Sequence, residues 1–146
     1  MEDMTNKAEV ETLLDGFGMI DQVQRDMYRK AMPRQRSMLY SAPRLILPFY
    51  KLRHPFLKPT CLSDLNEFAS IWACVENILI AAASEGIFGV TRIPMGEELQ
   101  HIQKVLGHPD DYTMPCYIAL GYPAPDAKRA QQKEIAITDR IHRNLW

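Results

Sequence analysis

Asn77-Ile-Leu-Ile-Ala-Ala-Ala-Ser-Glu-Gly-Ile-Phe-Gly-Val-Thr-Arg-Ile-Pro94 is the stretch that decides the fold. Its first half is apolar without alternation, which predicts a helix rather than a half-exposed strand. Gly86 follows the last helical residue, as a helix-ending glycine in the left-handed region does. Ile87–Ile93 then turns to β-formers and Pro94 stops the run, so a strand is expected over 87–93. A helix passing into a strand through a tight glycine turn is the junction of a mixed helix and sheet domain.

Upstream, thirteen of the sixteen residues from Phe68 to Ala83 are apolar, and the helix is expected over 64–84 with Ser63 as its cap and Asp64 at its positive end. Ser70, Glu76 and Asn77 interrupt the run, and it falls short of the roughly 20 residues that span a bilayer, so it reads as a buried core or subunit-interface helix. A helix apolar nearly all round must be covered on most sides, and in a short chain a second subunit is part of the expected cover.

Further out, Val10, Leu13, Leu14, Phe17, Ile20, Val23, Met27 and Tyr28 recur at helical steps, predicting a helix over 5–31 that Gly16 and Gly18 weaken enough to allow a break. Residues 33–41 read as a loop or short helix, and Arg44-Leu-Ile-Leu-Pro-Phe-Tyr50 as a strand whose Pro48 belongs at its end or an edge. A loop over 51–62, a helix over 97–106 closed by Gly107, a strand over 114–122 and an extended arm over 124–146 complete the pattern. The expected fold class is α+β, one domain over 1–146, with a small central sheet flanked by helices and the arm reaching outward.

The 146 residues carry 17 Lys+Arg against 18 Asp+Glu, a net charge of −1, which gives no global electrostatic reason to expect nucleic acid or an anionic membrane as partner. Three cysteines without a C-x-x-C pair read as reduced thiols of a cytoplasmic protein. Cys74, inside the apolar helix, reads as a small buried hydrophobe. The four histidines have no metal-ligand spacing, so no metal site is expected. No nucleophile elbow, phosphate loop or dinucleotide fingerprint occurs, and no side chain stands out as acid, base or nucleophile.

Two local features have two readings each. The Glu85-Gly86 turn, with Gly89 close behind, is a plain helix end or a place where free amides meet the heteroatoms of a planar ligand. Lys128, Arg129 and Lys133 are a solvated face or a cluster that neutralises a phosphate.

At these residues the chain resembles the nitroreductase family, the FMN-dependent dimeric NAD(P)H oxidoreductases. The likeness runs from Ala42-Pro43 and its strand, through Asn77–Gly86, Val90–Pro94, Leu106-Gly-His-Pro-Asp110 and Ile118–Pro123, to the closing Arg140-Ile-His-Arg-Asn-Leu-Trp146. The resemblance implies a nitroreductase-like sandwich, with the Glu85-Gly86 backbone facing the flavin edge and Ile87 bordering the ring. Amides there would stabilise the negative charge of reduced flavin. Lys128, Arg129 and Lys133 match the region that meets the FMN phosphate. NAD(P)H would be the electron donor, with nitro compounds, quinones or similar molecules as acceptors. The apolar helix would be central to a homodimer, and the tail would wrap the neighbouring subunit.

Family members open with an Arg-Arg-Ser type segment that grips the phosphate, followed by a Pro-Ser-x-x-Asn-x-Gln-Pro type segment that lines the ring. Neither is present, so the chain reads as a nitroreductase without its N-terminal flavin-binding segment. The alternative expectation is a degenerate, non-catalytic dimerisation or binding domain that has lost half of the flavin site.

Overall fold

Three short antiparallel strands carry the main sheet of the computed structural model, which describes residues 7–55, 58–127 and 136–144. Contacts divide the chain into two compact units. One spans Ser37–Asp126; the other is built from described residues of Glu2–Arg36 and Ala127–Trp146.

In the second unit, α1 (Lys7–Gly16) and α2 (Gln22–Ala31) form a helical pair. The helix expected over 5–31 is broken at Gly16–Asp21: Gly18 takes the left-handed conformation and Asp21 caps α2 by accepting from the Gln24 amide. Val10 and Leu14 of α1 and Met32, just after α2, form the buried cluster of this unit. Arg25 reaches Glu11 at 2.7 Å and Asp15 at 2.8 Å, and Arg29 also pairs with Glu11. Hydrogen bonds from Arg29 and then Arg25 hold the Glu11 carboxyl down at about 2. One 3-10 turn, Ile137–Arg140, is described in the arm expected over 124–146.

Where a loop or short helix was expected over 33–41, a 3-10 turn at Met32–Arg34 runs into α3 (Gln35–Ser41). The strand expected over 44–50 is two strands in different sheets, β1 (Arg44–Ile46) and β2 (Tyr50–Lys51). Pro48 lies between them, where its missing donor costs no ladder bond. The long helix opens with a 3-10 turn at Leu62–Leu65 and continues as α4 (Asn66–Ser84). Ser63 lies inside that turn and is not the cap. Asp64 closes the start instead, accepting from the Thr60 amide and hydroxyl, both at 2.7 Å, and from the Cys61 amide at 3.3 Å. These bonds, those from Thr60 foremost, hold its carboxyl well below the usual range.

After α4 come β3 (Phe88–Arg92), α5 (Glu98–Leu106), β4 (Tyr112–Thr113) and β5 (Tyr117–Gly121). Gly107 ends α5 in the left-handed conformation, as the sequence predicts. The strand expected over 114–122 is confined to β5; β4, two residues long, pairs with β2 and was not foreseen. The main sheet has the order β1-β5-β3, all antiparallel, with Ile46 opposite Ile118 and Thr91 opposite Ile118 on the other side.

One face of that sheet packs on α4. Val75, Cys116 and Ile118 are buried there, flanked by Ile46, Trp72, Ile78, Leu79 and Leu120. Gly89 permits the close approach: a Cβ at that position would sit 2.5 Å from Leu120 Cδ2 and 3.0 Å from Leu79 Cδ2.

The opposite side of α4 departs from the expected burial. Val75 is the buried residue of this helix within the chain, Ile80 is 60% exposed, and Cys74 is exposed rather than a buried hydrophobe. Its length also exceeds expectation. Leu62–Ser84 is a continuous helical run of 23 residues, long and apolar enough by length and composition to cross a bilayer.

Candidate functional site at the end of the long helix

Ser84, the last residue of α4, is followed by Glu85, Gly86 and Ile87 before β3 begins at Phe88. The helix ends because Gly86 adopts φ +72°, a conformation strained for any residue with a side chain. This turn closes as a Schellman motif: the Ile87 amide donates to the Ala82 carbonyl at 2.9 Å and the Gly86 amide to the Ala83 carbonyl at 3.1 Å. The Glu85 amide donates to the Ala82 carbonyl as well, at 3.0 Å, and the Ser84 hydroxyl donates to the Ala81 carbonyl at 2.7 Å.

Glu85, Gly86 and Ile87, all expected at the site, are thus adjacent on one exposed to half-exposed turn. The backbone amides there are not free donors, as had been expected of them, because each closes the helix end. The signal was in the sequence: a C-terminal glycine that forms this motif uses the following amides in doing so. A Cβ placed on Gly86 would meet nothing within 4 Å, so a flat group can approach this backbone from outside. Gly86→Ala should cost about 1 kcal/mol of stability, through backbone strain alone. A shift of the urea midpoint with an unchanged slope would show it.

Lys128, Arg129 and Lys133, the expected phosphate cluster, lie outside the described residues. The described part of that region runs from Gly121 at the end of β5, where Gly121 pairs with Phe88 of β3. The register therefore brings Gly121, the end of β5, beside the start of the strand that leaves the Glu85-Gly86 turn.

Two further cavities lie in the same unit. One, of about 610 Å³, is lined by Tyr40, Leu45, Glu98, His101, Ile102 and Tyr117. Beneath it the Arg92 guanidinium grips Glu98 at 2.6 and 2.9 Å and lies 5.7 Å from the centre of the Tyr117 ring. Burial and the Glu98 charge raise the Tyr117 hydroxyl above its ordinary pKa. The other, of about 670 Å³, sits at the start of α4 between Arg53, His54, Asp64, Glu67 and Ser70. There Arg53 pairs with Glu67 at 3.4 Å and His54 lies 3.7 Å from Asp64. In both pairs a basic side chain faces a carboxylate. Among the described residues no group of three or more His, Cys, Asp or Glu is placed to hold a metal ion.

No protein-family profile matches the chain. In sequence it is 33% identical over 76 residues to an Archaeoglobus fulgidus protein bearing the provisional name NADH dehydrogenase/NAD(P)H nitroreductase; the match covers 51% of this chain and 44% of that protein. The match thus spans less than half of the relative's length. Among solved structures, iodotyrosine deiodinase bound to FMN and 3-iodo-L-tyrosine is similar with a TM-score of 0.61 at 17% identity, over 96% of this chain and 66% of the other. A BluB-like flavoprotein from Clostridium difficile 630 gives 0.58 at 18% identity, over 93% and 72%. A variant of the FMN- and NADPH-dependent nitroreductase NfnB from a Sphigopyxis strain gives 0.58 at 15% identity, over 99% and 64%. The chain therefore has the nitroreductase fold, and the resemblance read from its sequence holds.

Proposed function

We propose that this nitroreductase-fold chain is a flavin-dependent oxidoreductase that works as a homodimer, taking electrons from NAD(P)H and delivering them to small acceptors such as nitro compounds or quinones. One observation carries the reading: in this fold α4 ends on an exposed turn at Glu85-Gly86, where Gly86 has no side chain and open space beside its backbone for a flat ring. Three successive amides at that turn, Glu85 to Ile87, are the donor type that the electron-rich edge of a flavin requires. FMN, when bound, would supply the hydride and electron chemistry. Glu85, Gly86 and Ile87 would hold its ring edge, Ile87 would exclude water from one side, and Lys128, Arg129 and Lys133 would neutralise its phosphate. In this reading the protein contributes position and charge rather than a proton-transferring side chain.

The homodimer is supported by what α4 leaves uncovered: 6% of its most apolar window is buried within the chain. A second copy laid along that helix would remove the apolar surface from water. Light scattering after size exclusion should therefore give twice the 16.8 kDa chain mass in detergent-free buffer. A stable monomer in that buffer, or a protein that enters vesicles, would rule the dimer out.

The second reading, a non-catalytic domain with this scaffold, is favoured by one observation: the Glu85–Ile87 amides are closed on the helix itself. Titration with FMN followed by flavin fluorescence quenching separates the two. The enzyme reading expects saturation at tens of micromolar FMN or below, on the order of −6 kcal/mol. It also expects weaker binding in Arg129→Ala and Lys133→Ala, and unchanged affinity in both would reject the phosphate assignment.

A further inference from the structure

The main sheet has a second face. Residues alternate along β5, so Tyr117 and Ala119 point away from the α4 cluster that holds Cys116 and Ile118. The register puts Leu45 of β1 and Arg92 of β3 on that same face, opposite Ala119 and Tyr117 respectively. The cavity of about 610 Å³ opens between this face, α5 and the end of α3. Its volume is that of a small-molecule site.

Charge in the cavity is one-sided. Glu97 and Glu98 line it, and among the described residues no lysine or arginine does. Lys104, three residues beyond His101 on α5, is outside the lining. Glu98 is fully engaged: Arg92 donates to its two oxygens at 2.6 and 2.9 Å, and the Met95 amide adds a third bond at 3.0 Å. That pairing also answers the Arg92 charge, so the guanidinium leaves nothing over for Glu97. Glu97, the residue before α5, is exposed, and among the described residues its carboxylate has no hydrogen bond or ion pair. One helical turn on, the His101 imidazole has no partner among them either. The remaining walls are apolar or aromatic, with Leu45, Ile102 and the rings of Tyr40 and Tyr117.

We propose that this cavity binds a small organic cation, an ammonium group carried on an aromatic or branched aliphatic body. The ammonium pairs with the Glu97 carboxylate and donates to a neutral His101 nitrogen, while the body lies against the tyrosine rings, Leu45 and Ile102. An ammonium has donors and no acceptor, which matches two side chains able to accept, and aromatic faces attract it. An anion of the same shape meets an unpaired carboxylate, and a neutral molecule gains burial without the charge. The site shares no residue with the Glu85–Ile87 turn and stands independently of the flavin reading.

Three probes of one shape separate charge from burial: phenethylammonium, phenethyl alcohol and hydrocinnamate. Each is titrated into the full nitrogen-15-labelled chain at about pH 7.5, where an ordinary imidazole is neutral, and amide shifts are followed by NMR. The ammonium should move the Glu97–Ile102 and Tyr117 amides saturably, with half-saturation at roughly 1 mM or below. The alcohol should bind about threefold more weakly, and the carboxylate more weakly still. Glu97→Gln should weaken the ammonium about three- to fivefold, the worth of one exposed ion pair, and leave the alcohol unchanged. Equal affinities for ammonium and alcohol overturn the cation assignment. So does a Glu97→Gln variant that binds both as the parent does, or that loses both alike. Shifts that map away from these residues, or no saturation by roughly 10 mM ammonium, overturn the site itself.

Discussion

Replacing Ile118 with alanine should lower the unfolding free energy by about 2–5 kcal/mol, a large share of the roughly 5–15 kcal/mol that stabilises a typical domain. Ile118 is fully buried at the centre of the sheet and α4 cluster, against Val75 and Cys116. The cost should fall in the upper half of that range, because the site cannot collapse around the lost atoms. β5 is held on one side by β1, with Ile46 opposite, and on the other by β3, with Thr91 opposite. Val105, 68% exposed on α5, is the control: Val105→Ala should change stability by no more than about 0.5 kcal/mol. Equal shifts of the urea midpoint in the two variants would mean that the core does not lie where the structure puts it.

The second large effect is expected at Arg92. Its side chain is 8% exposed, grips Glu98 through two hydrogen bonds and lies over Tyr117. Arg92→Met should cost about 3 kcal/mol, chiefly because a largely buried Glu98 carboxylate loses its counter-charge. Adding Glu98→Gln to it should recover part of that loss, since the unpaired charge is then gone. The pH dependence has a definite sign. Burial pushes the Glu98 carboxyl up, but hydrogen bonds from Arg92 and the Met95 amide outweigh it, so the folded value lies below the ordinary 4.5. A carboxyl depressed by folding adds stability that is complete above its unfolded value and lost as pH falls through its folded value. The gap between the parent and Arg92→Met should therefore narrow below about pH 4.5, the ordinary glutamate value. A gap that widens in acid would contradict the pairing.

Those two sites mark the boundary of what the residues disclose in advance. α4, its glycine end, β3 and α5 with Gly107 were legible because each depends on local chemistry: an apolar run, a left-handed glycine, a proline stop. The split of 44–50 into two strands was half legible, since Pro48 announced an interruption but not that β2 would leave the sheet for β4. A two-residue strand such as β4 exists only through its partner and leaves no periodicity to read. Cys74 was misplaced for a similar reason: an apolar helix shows that it needs cover, not which side of it the chain itself supplies. The Arg92–Glu98 pair joins a strand to the helix that follows it, and the spacing of two ordinary charged residues did not single it out.

The candidate site divides along the same line. The Glu85-Gly86 turn could be located from its glycine, and the same glycine implied amides turned back on the helix, a consequence that the expectation of free donors overlooked. The roles of Lys128, Arg129 and Lys133 rest on the family resemblance. What joins these parts into a function is the flavin, so its binding is the decisive quantity. The most direct measurement is equilibrium dialysis of the purified chain against FMN. The account predicts saturable uptake of one FMN per chain, with half-saturation at tens of micromolar or below. No uptake beyond the protein-free control would contradict it.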